Sequence, residues 1–429
     1  MKKYSELTKD ELKNLKSELE KECEELKKLN LNLDMSRGKP CKEQLDLSMD
    51  LLSVLDKNSN LICEDGMDCR NYGGLTGIKE ARELLATFME NDVKNIIIYG
   101  NSSLNVMYTI IMQCFVFGVM GEKPWKDQGK IKFLCPVPGY DRHFAICEEF
   151  GIEMINVPMS ESGPDMDMIE KLVSSDEKIK GIWCVPKYSN PDGYVYSDET
   201  VRKFARLKPK AADFRIFWDN AYTIHYLYDE KEKHDHIIEI LGECEKAGNP
   251  DIVYKFASTS KICFPGSGLA VLATSDNNIR DIMSHLKYQT IGYDKVNQLR
   301  HVAYFKDLQG VKDHMKKHAQ ILRPKFEMVL DTFEKEFSGV DLISWTKPRG
   351  GYFISFYGMK GTAKDIVDRC KSLGVKLTDA GSSYPYHKDP DDTNIRIAPT
   401  YPKIEDLEEA LKVFTVCAKL STIEKLLAR

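Results

Sequence analysis

Apolar residues recur along the chain with two different periods, and the change of period marks its organisation. Over residues 8–29, Leu12, Leu15, Leu19, Leu26 and Leu29 fall on one stripe, which predicts an amphipathic helix. Thr8 and Glu11 fit a capping box at its start. Between residues 95 and 275 short apolar runs alternate with helical patterns. The clearest runs are Ile96–Tyr99, Ile131–Cys135, Gly181–Val185, Arg215–Trp218, Val253–Ala257 and Leu269–Ala273. That alternation predicts βαβ units and a mainly parallel sheet. Residues 311–337 are helical in pattern but contain Pro324, which is expected to break or kink the helix. Beyond it lie strand-like Gly350–Phe356 and Asn394–Ala398, with helices over 363–373 and 404–427, a smaller α+β unit. The fold class is therefore α/β.

Composition narrows the partners. The 429 residues are 42% hydrophobic and 30% charged, with a formal net charge of −5, which gives no electrostatic argument for nucleic acid or an anionic membrane, and neither is expected as a partner. The longest apolar run, Val106–Met120, is interrupted by Thr109, Gln113 and Gly118 and is too short to span a bilayer. The lysine- and glutamate-rich N-terminus does not read as a signal sequence. Twelve scattered cysteines with no C-x-x-C suit free thiols in a reducing cytoplasm. No metal-ligand set is apparent. His314 and His318 have i,i+4 spacing, but Lys316 and Lys317 beside them predict a solvated helix face rather than a zinc site.

The segments that follow the apolar runs carry the candidate chemistry. After the first comes Gly100-Asn101-Ser102-Ser103, opening a helix: an anion site, or plain N-capping. After the second comes Pro138-Gly139-Tyr140-Asp141-Arg142-His143, whose tyrosine can stack on a flat ring or simply fill core. After the third, Asn190 lies in a turn with an amide free to bond a hydroxyl or a carboxylate. After the fourth, Asp219-Asn220-Ala221-Tyr222 puts an aspartate at a strand end, as a cap or as a buried charge that needs a partner. After the fifth comes Ser258-Thr259-Ser260-Lys261. A desolvated lysine amine is a nucleophile toward carbonyls. Carboxyl ends of parallel strands face one crevice, so these groups should converge there. A phosphate cradle, a ring stack, a pyridine-nitrogen partner, a phenol and a reactive lysine together match the needs of pyridoxal phosphate.

The same residues, in this order, resemble the class I aminotransferases of fold type I over essentially the whole chain. The resemblance rests on Tyr72-Gly73-Gly74 with Gly77, Gly100-Asn101-Ser102-Ser103, Tyr140, Asn190-Pro191-Asp192-Gly193, Asp219-Asn220-Ala221-Tyr222, Ser258-Thr259-Ser260-Lys261 and Arg396. Ser36-Arg37-Gly38-Lys39-Pro40, Pro138–His143 and Tyr188–Pro191 are similar to a narrower group, the type Ic aspartate aminotransferases related to the effector domains of MocR-like regulators. The resemblance implies a mainly parallel seven-stranded sheet in a large cofactor-binding domain, 51–310. It implies a small C-terminal domain, 311–429, joined by an N-terminal helix and loop, 1–50. It implies pyridoxal phosphate carried on Lys261, with Asp219 on the pyridine nitrogen, Tyr222 and Asn190 on the ring oxygen, and Tyr140 on the ring face. Ser102, Ser103 and Ser258 would hold the phosphate, joined by Tyr72 from the second subunit of a homodimer. Arg396 would bind the substrate α-carboxylate, in a pocket with Gly38 and Asn190. The arginine that most class I members carry eight residues after the lysine is Leu269 here, and Ser267 is the candidate replacement.

These expectations converge on transamination between an amino acid, aspartate or glutamate, and a 2-oxo acid. A dicarboxylate donor needs a second cation, for which Arg142 is the first candidate and Arg37 the next. An ion pair of Arg142 with Asp141 or a nearby glutamate is the alternative. A lyase or decarboxylase would share the same cofactor site. A non-catalytic ligand-sensing module is the rival of another class, disfavoured by the lack of a winged-helix segment or basic patch.

Overall fold

A computed structural model describes residues 3–429. Its largest element is an eight-stranded sheet. The spatial order is Ile96–Ile98, Ala270–Ala273, Val253–Ser258, Arg215–Asp219, Ile179–Cys184, Lys132–Val137, Glu153–Ser160 and Gly163–Pro164. The last is a two-residue strand antiparallel to its neighbour, so seven strands make the body of the sheet. Within that body only Ala270–Ala273 runs against its neighbours.

Alternate residues of each central strand feed alternate cores. Leu134, Ile182, Ile216, Trp218, Val253 and Ala257 face one apolar cluster. Phe133, Cys135, Trp183, Phe217, Tyr254 and Phe256 face another. Both faces of the sheet are covered, so the strands appear in sequence as unbroken apolar runs. Close approach across the sheet leaves no room for a side chain at position 181, where a Cβ would lie 2.3 Å from the ring of Phe133.

A third core lies around a three-stranded antiparallel sheet, Ser344–Trp345, Ile354–Tyr357 and Asn394–Ile397. The helix Lys9–Lys28 buries Leu12, Leu19 and Leu26 in this core, against the helix Ile404–Leu427. Thr8 and Glu11 form the expected capping box. Leu33–Asp34 then pairs in parallel with Val375–Lys376.

Two expectations change. The helix Leu308–Phe337 runs unbroken through Pro324. Proline removes one N–H, and the carbonyl it would have met, that of Gln320, lies like Pro324 on the exposed side of the helix, where water can satisfy it. His314 and His318 are not on a solvated face; they are 4% and 1% exposed. Lys316 and Lys317 take the outer side, and the two imidazoles point inward. No helix among the described residues is long and apolar enough to cross a membrane.

Candidate active site

Five parallel strands end at one edge of the sheet, and their following segments enclose a cavity of about 110 Å³. Ser102 and Ser103 wall it from the first, Tyr140 from the second and Asn190 from the third. Asp219 and Tyr222 come from the fourth, and Ser258, Ser260 and Lys261 from the fifth. Residues from across the sheet thus meet because parallel strands place all their carboxyl ends on one side.

Lys261 follows a fully buried strand and sits in a tight turn fixed by Thr259, whose carbonyl accepts the Ile262 and Cys263 amides at 2.9 Å. Its Nζ lies 4.8 Å from the ring centroid of Tyr222 and 5.7 Å from that of Tyr352. Burial, reinforced by the Asp219 charge, holds the Tyr222 hydroxyl well above its ordinary range. The Tyr140 hydroxyl is pushed up to about 12, again chiefly by burial. Both phenols are therefore neutral donors at ordinary pH.

Asp219 is the last residue of its strand and is 3% exposed. Its Oδ2 accepts a hydrogen bond from His143 Nε2 at 3.1 Å. His143 is itself held by stacking on Trp183, with centroids 4.5 Å apart. The other oxygen, Oδ1, is buried and has no partner. A buried acceptor left unpaired is costly. An unpaired carboxylate oxygen on the cavity wall fits a protonated ring nitrogen, and this fits the donor set around it to pyridoxal phosphate.

The anion end fits as well. Ser102 is the N-cap of the helix Ser103–Phe117, but its side chain makes no capping bond, which leaves its hydroxyl and the first-turn amides free for a phosphate. Ser260 donates to the carbonyl of Asn101 at 2.8 Å and lies 2.9 Å from the Ser258 hydroxyl, tying the lysine turn to this loop. Leu269 is 2% exposed and belongs to the core, with no charge at that position. Ser267 stands in the turn Pro265–Ser267, outside the cavity wall. Its carbonyl accepts from Asn297 Nδ2 at 3.0 Å.

Arg396 projects from the strand Asn394–Ile397. Its Nη1 donates to Asp141 Oδ1 at 3.1 Å and to Asn190 Oδ1 at 3.3 Å, and Nη2 to Thr378 Oγ1 at 3.4 Å. The guanidinium lies over the ring of Phe353, 4.9 Å from its centroid. The edge of that same ring presses on Gly38, where a Cβ would be 2.2 Å from Cζ. Gly38 thus belongs to the support of Arg396. Arg37 and Arg142 are exposed, and Asp141 gives its carboxylate to Arg396 instead of to Arg142. Tyr72 is 82% exposed and away from this cavity.

Three contributors had no role assigned from sequence, His143, Ser260 and Tyr352, and Asp141 was expected only as a partner of Arg142. For His143 a signal existed, since a buried strand-end aspartate needs a partner. The buried His314 and His318 also approach the site from behind. His314 Nε2 lies 2.8 Å from the Ile262 carbonyl, next to Lys261, and 3.1 Å from His318 Nε2. Gln44 bridges His318 Nδ1, at 2.9 Å, to the Tyr352 hydroxyl, at 3.0 Å.

Comparison with known proteins agrees with this geometry. The family described as aspartate amino-transferase matches residues 7–429. An aspartate aminotransferase of Corynebacterium glutamicum is 42% identical over 408 residues, covering 95% of this chain and 93% of its own. The crystal structure of an aspartate transaminase from Corynebacterium glutamicum superposes with a TM-score of 0.95 at 41% identity, over 99% of both chains. An α-aminoadipate aminotransferase from Thermus thermophilus, solved with N-(5'-phosphopyridoxyl)-L-leucine, shares the fold, with a TM-score of 0.73 at 16% identity over 92% of this chain and 93% of that one.

Proposed function

The chain belongs to the aspartate aminotransferase family and is a pyridoxal-phosphate-dependent transaminase, and from that premise we propose that its amino donor is aspartate or glutamate and that Lys261 is its catalytic lysine. The observation that carries the residue roles is the buried, unpartnered Oδ1 of Asp219 in the same cavity wall as Lys261.

Pyridoxal phosphate, when bound, supplies an aldehyde for amines and a ring that withdraws electrons from Cα. Lys261 would hold it, and would serve as general base and acid for the proton at the substrate Cα. Asp219, oriented by His143, would accept the hydrogen bond of the ring nitrogen through its unpartnered oxygen. Tyr222 and Asn190 would meet the ring oxygen, and Tyr140 would cover a ring face. Ser102, Ser103 and Ser258 would hold the phosphate; Ser267, outside the cavity wall, would act only through the turn next to them. Arg396 takes the α-carboxylate in a pocket closed by Gly38 and Asn190. Arg142 reads the side-chain carboxylate from the exposed first turn of its helix, with Arg37 as the alternative.

The exposed Tyr72 supports a homodimer in which it reaches the partner's phosphate site. The cofactor-binding domain spans 51–310 and the small domain 311–429, with 1–50 joining the latter. Cysteines without disulfides support a cytoplasmic enzyme.

The deciding experiment is a donor screen on the holoenzyme with 2-oxoglutarate or oxaloacetate as acceptor, read by product formation. Aspartate and glutamate should exceed alanine and tyrosine in kcat/KM by at least about tenfold, the worth of one charge-assisted contact. Equal efficiency for all four would overturn the dicarboxylate reading. Arg142→Leu should remove the preference without lowering the alanine rate.

A further inference from the structure

Arg396 already has a carboxylate on it. The guanidinium is 8% exposed, and on the cavity side the wall is formed by Asn190. Asp141 makes a single contact with it, through Oδ1 to Nη1 at 3.1 Å, and its side chain remains 28% exposed. The remaining donors are poorly used: Nη2 reaches Thr378 at 3.4 Å, and Nε is buried without a partner. A guanidinium binds a carboxylate best through two parallel N–H groups. The resident carboxylate is therefore one-pronged and half-open, and a two-pronged newcomer can replace it.

We propose that Asp141 is a resident carboxylate that the substrate α-carboxylate displaces from Arg396, and that this exchange sets substrate affinity. The proposal rests on Arg396 being the α-carboxylate site. Asp141 acts through Arg396 and is a positioning residue. In the empty site it spares the enzyme a buried, unpaired cation, which would be strongly destabilising. In the filled site it is a competitor. It has somewhere to go: it is the first residue of the helix Asp141–Glu149, where a carboxylate is favoured by the free amides and the helix dipole.

This double role gives opposite signs in two measurements. The probe is succinate, a dicarboxylate without an amine, titrated calorimetrically into the holoenzyme. Asp141→Asn and Asp141→Ser should both bind succinate about five- to tenfold more tightly than wild type, the size of one partly exposed charge-assisted bond. Without succinate both should melt at a lower temperature. Unchanged or weaker binding in both variants, with Arg396→Gln abolishing it, would mean that Asp141 orients Arg396 and does not compete, which overturns the proposal. Arg396→Gln binding succinate as well as wild type would instead overturn the assignment of Arg396 itself.

Discussion

At the scale of single residues the site is a set of groups whose needs are met pairwise. Lys261→Ala should remove the lysine that borohydride fixes to the cofactor and lower kcat by at least about 10²–10⁴, the usual worth of a positioned proton carrier. Peptide mapping of reduced wild-type protein checks this, and a label on another lysine would exclude the assignment. His143→Phe should leave both oxygens of Asp219 unpaired. That change should cost about 1–3 kcal/mol of stability, measured by denaturant unfolding, and weaken cofactor retention. Asp219, Tyr222 and Lys261 were legible because each lies at the end of, or just after, a recognisable apolar run. His143 was legible as a residue but not as a partner, since its contact joins positions 76 apart in the chain. The pairing of Asp141 with Arg396 spans 255 positions and joins the two sheets, so no local pattern reveals it.

At the scale of elements, legibility follows burial. Strands covered on both faces left continuous apolar runs and were found. Glu153–Ser160 alternates irregularly between buried and exposed positions and gave no such run. The two-residue strands Leu33–Asp34 and Val375–Lys376 hold by main-chain pairing between distant segments, which side-chain pattern does not encode. The loop carrying Gly38 supplies a test of how elements hold the site. Gly38→Ala would drive a methyl group into the Phe353 ring, and the ring would shift under Arg396. KM for every amino donor should rise about tenfold, in line with an overpacking cost of 1–3 kcal/mol, with a smaller change in kcat. Steady-state kinetics with two donors checks it; a donor-selective effect would contradict the link through the α-carboxylate.

For the whole molecule, three buried histidines make stability depend on pH. Burial, the largest cause for each, lowers His225 and His318 to about 3 and His301 to about 4, from an ordinary 6.5. Below pH 6.5 the unfolded chain takes up protons that the folded chain refuses, so stability falls as pH falls. Each histidine works in this direction from 6.5 down toward its folded value. Asp192, raised by burial to about 6 from 3.8, works the other way between those values and offsets one of the three. Denaturant unfolding at pH 7.5, 6 and 5 should show a steady loss, and a flat profile would contradict it. A second whole-molecule test concerns assembly. Mixing inactive Tyr72→Ala and Lys261→Ala proteins should restore part of the activity if sites are shared between subunits, and none if each chain works alone.

The helix Lys9–Lys28 has a consequence for synthesis. Its apolar stripe is covered by the helix Ile404–Leu427, and the strand pair just after it is completed only by Val375–Lys376. A ribosome makes the first of these partners long before the last. Until then the early helix carries Leu12, Leu19 and Leu26 without the helix it packs on, while the eight-stranded sheet between can already close. Synthesis of the helix Ile404–Leu427, not emergence of the early helix, is what completes the third core. Chains arrested short of residue 404 should therefore be protected from protease across the large sheet and cut within their first thirty or so residues.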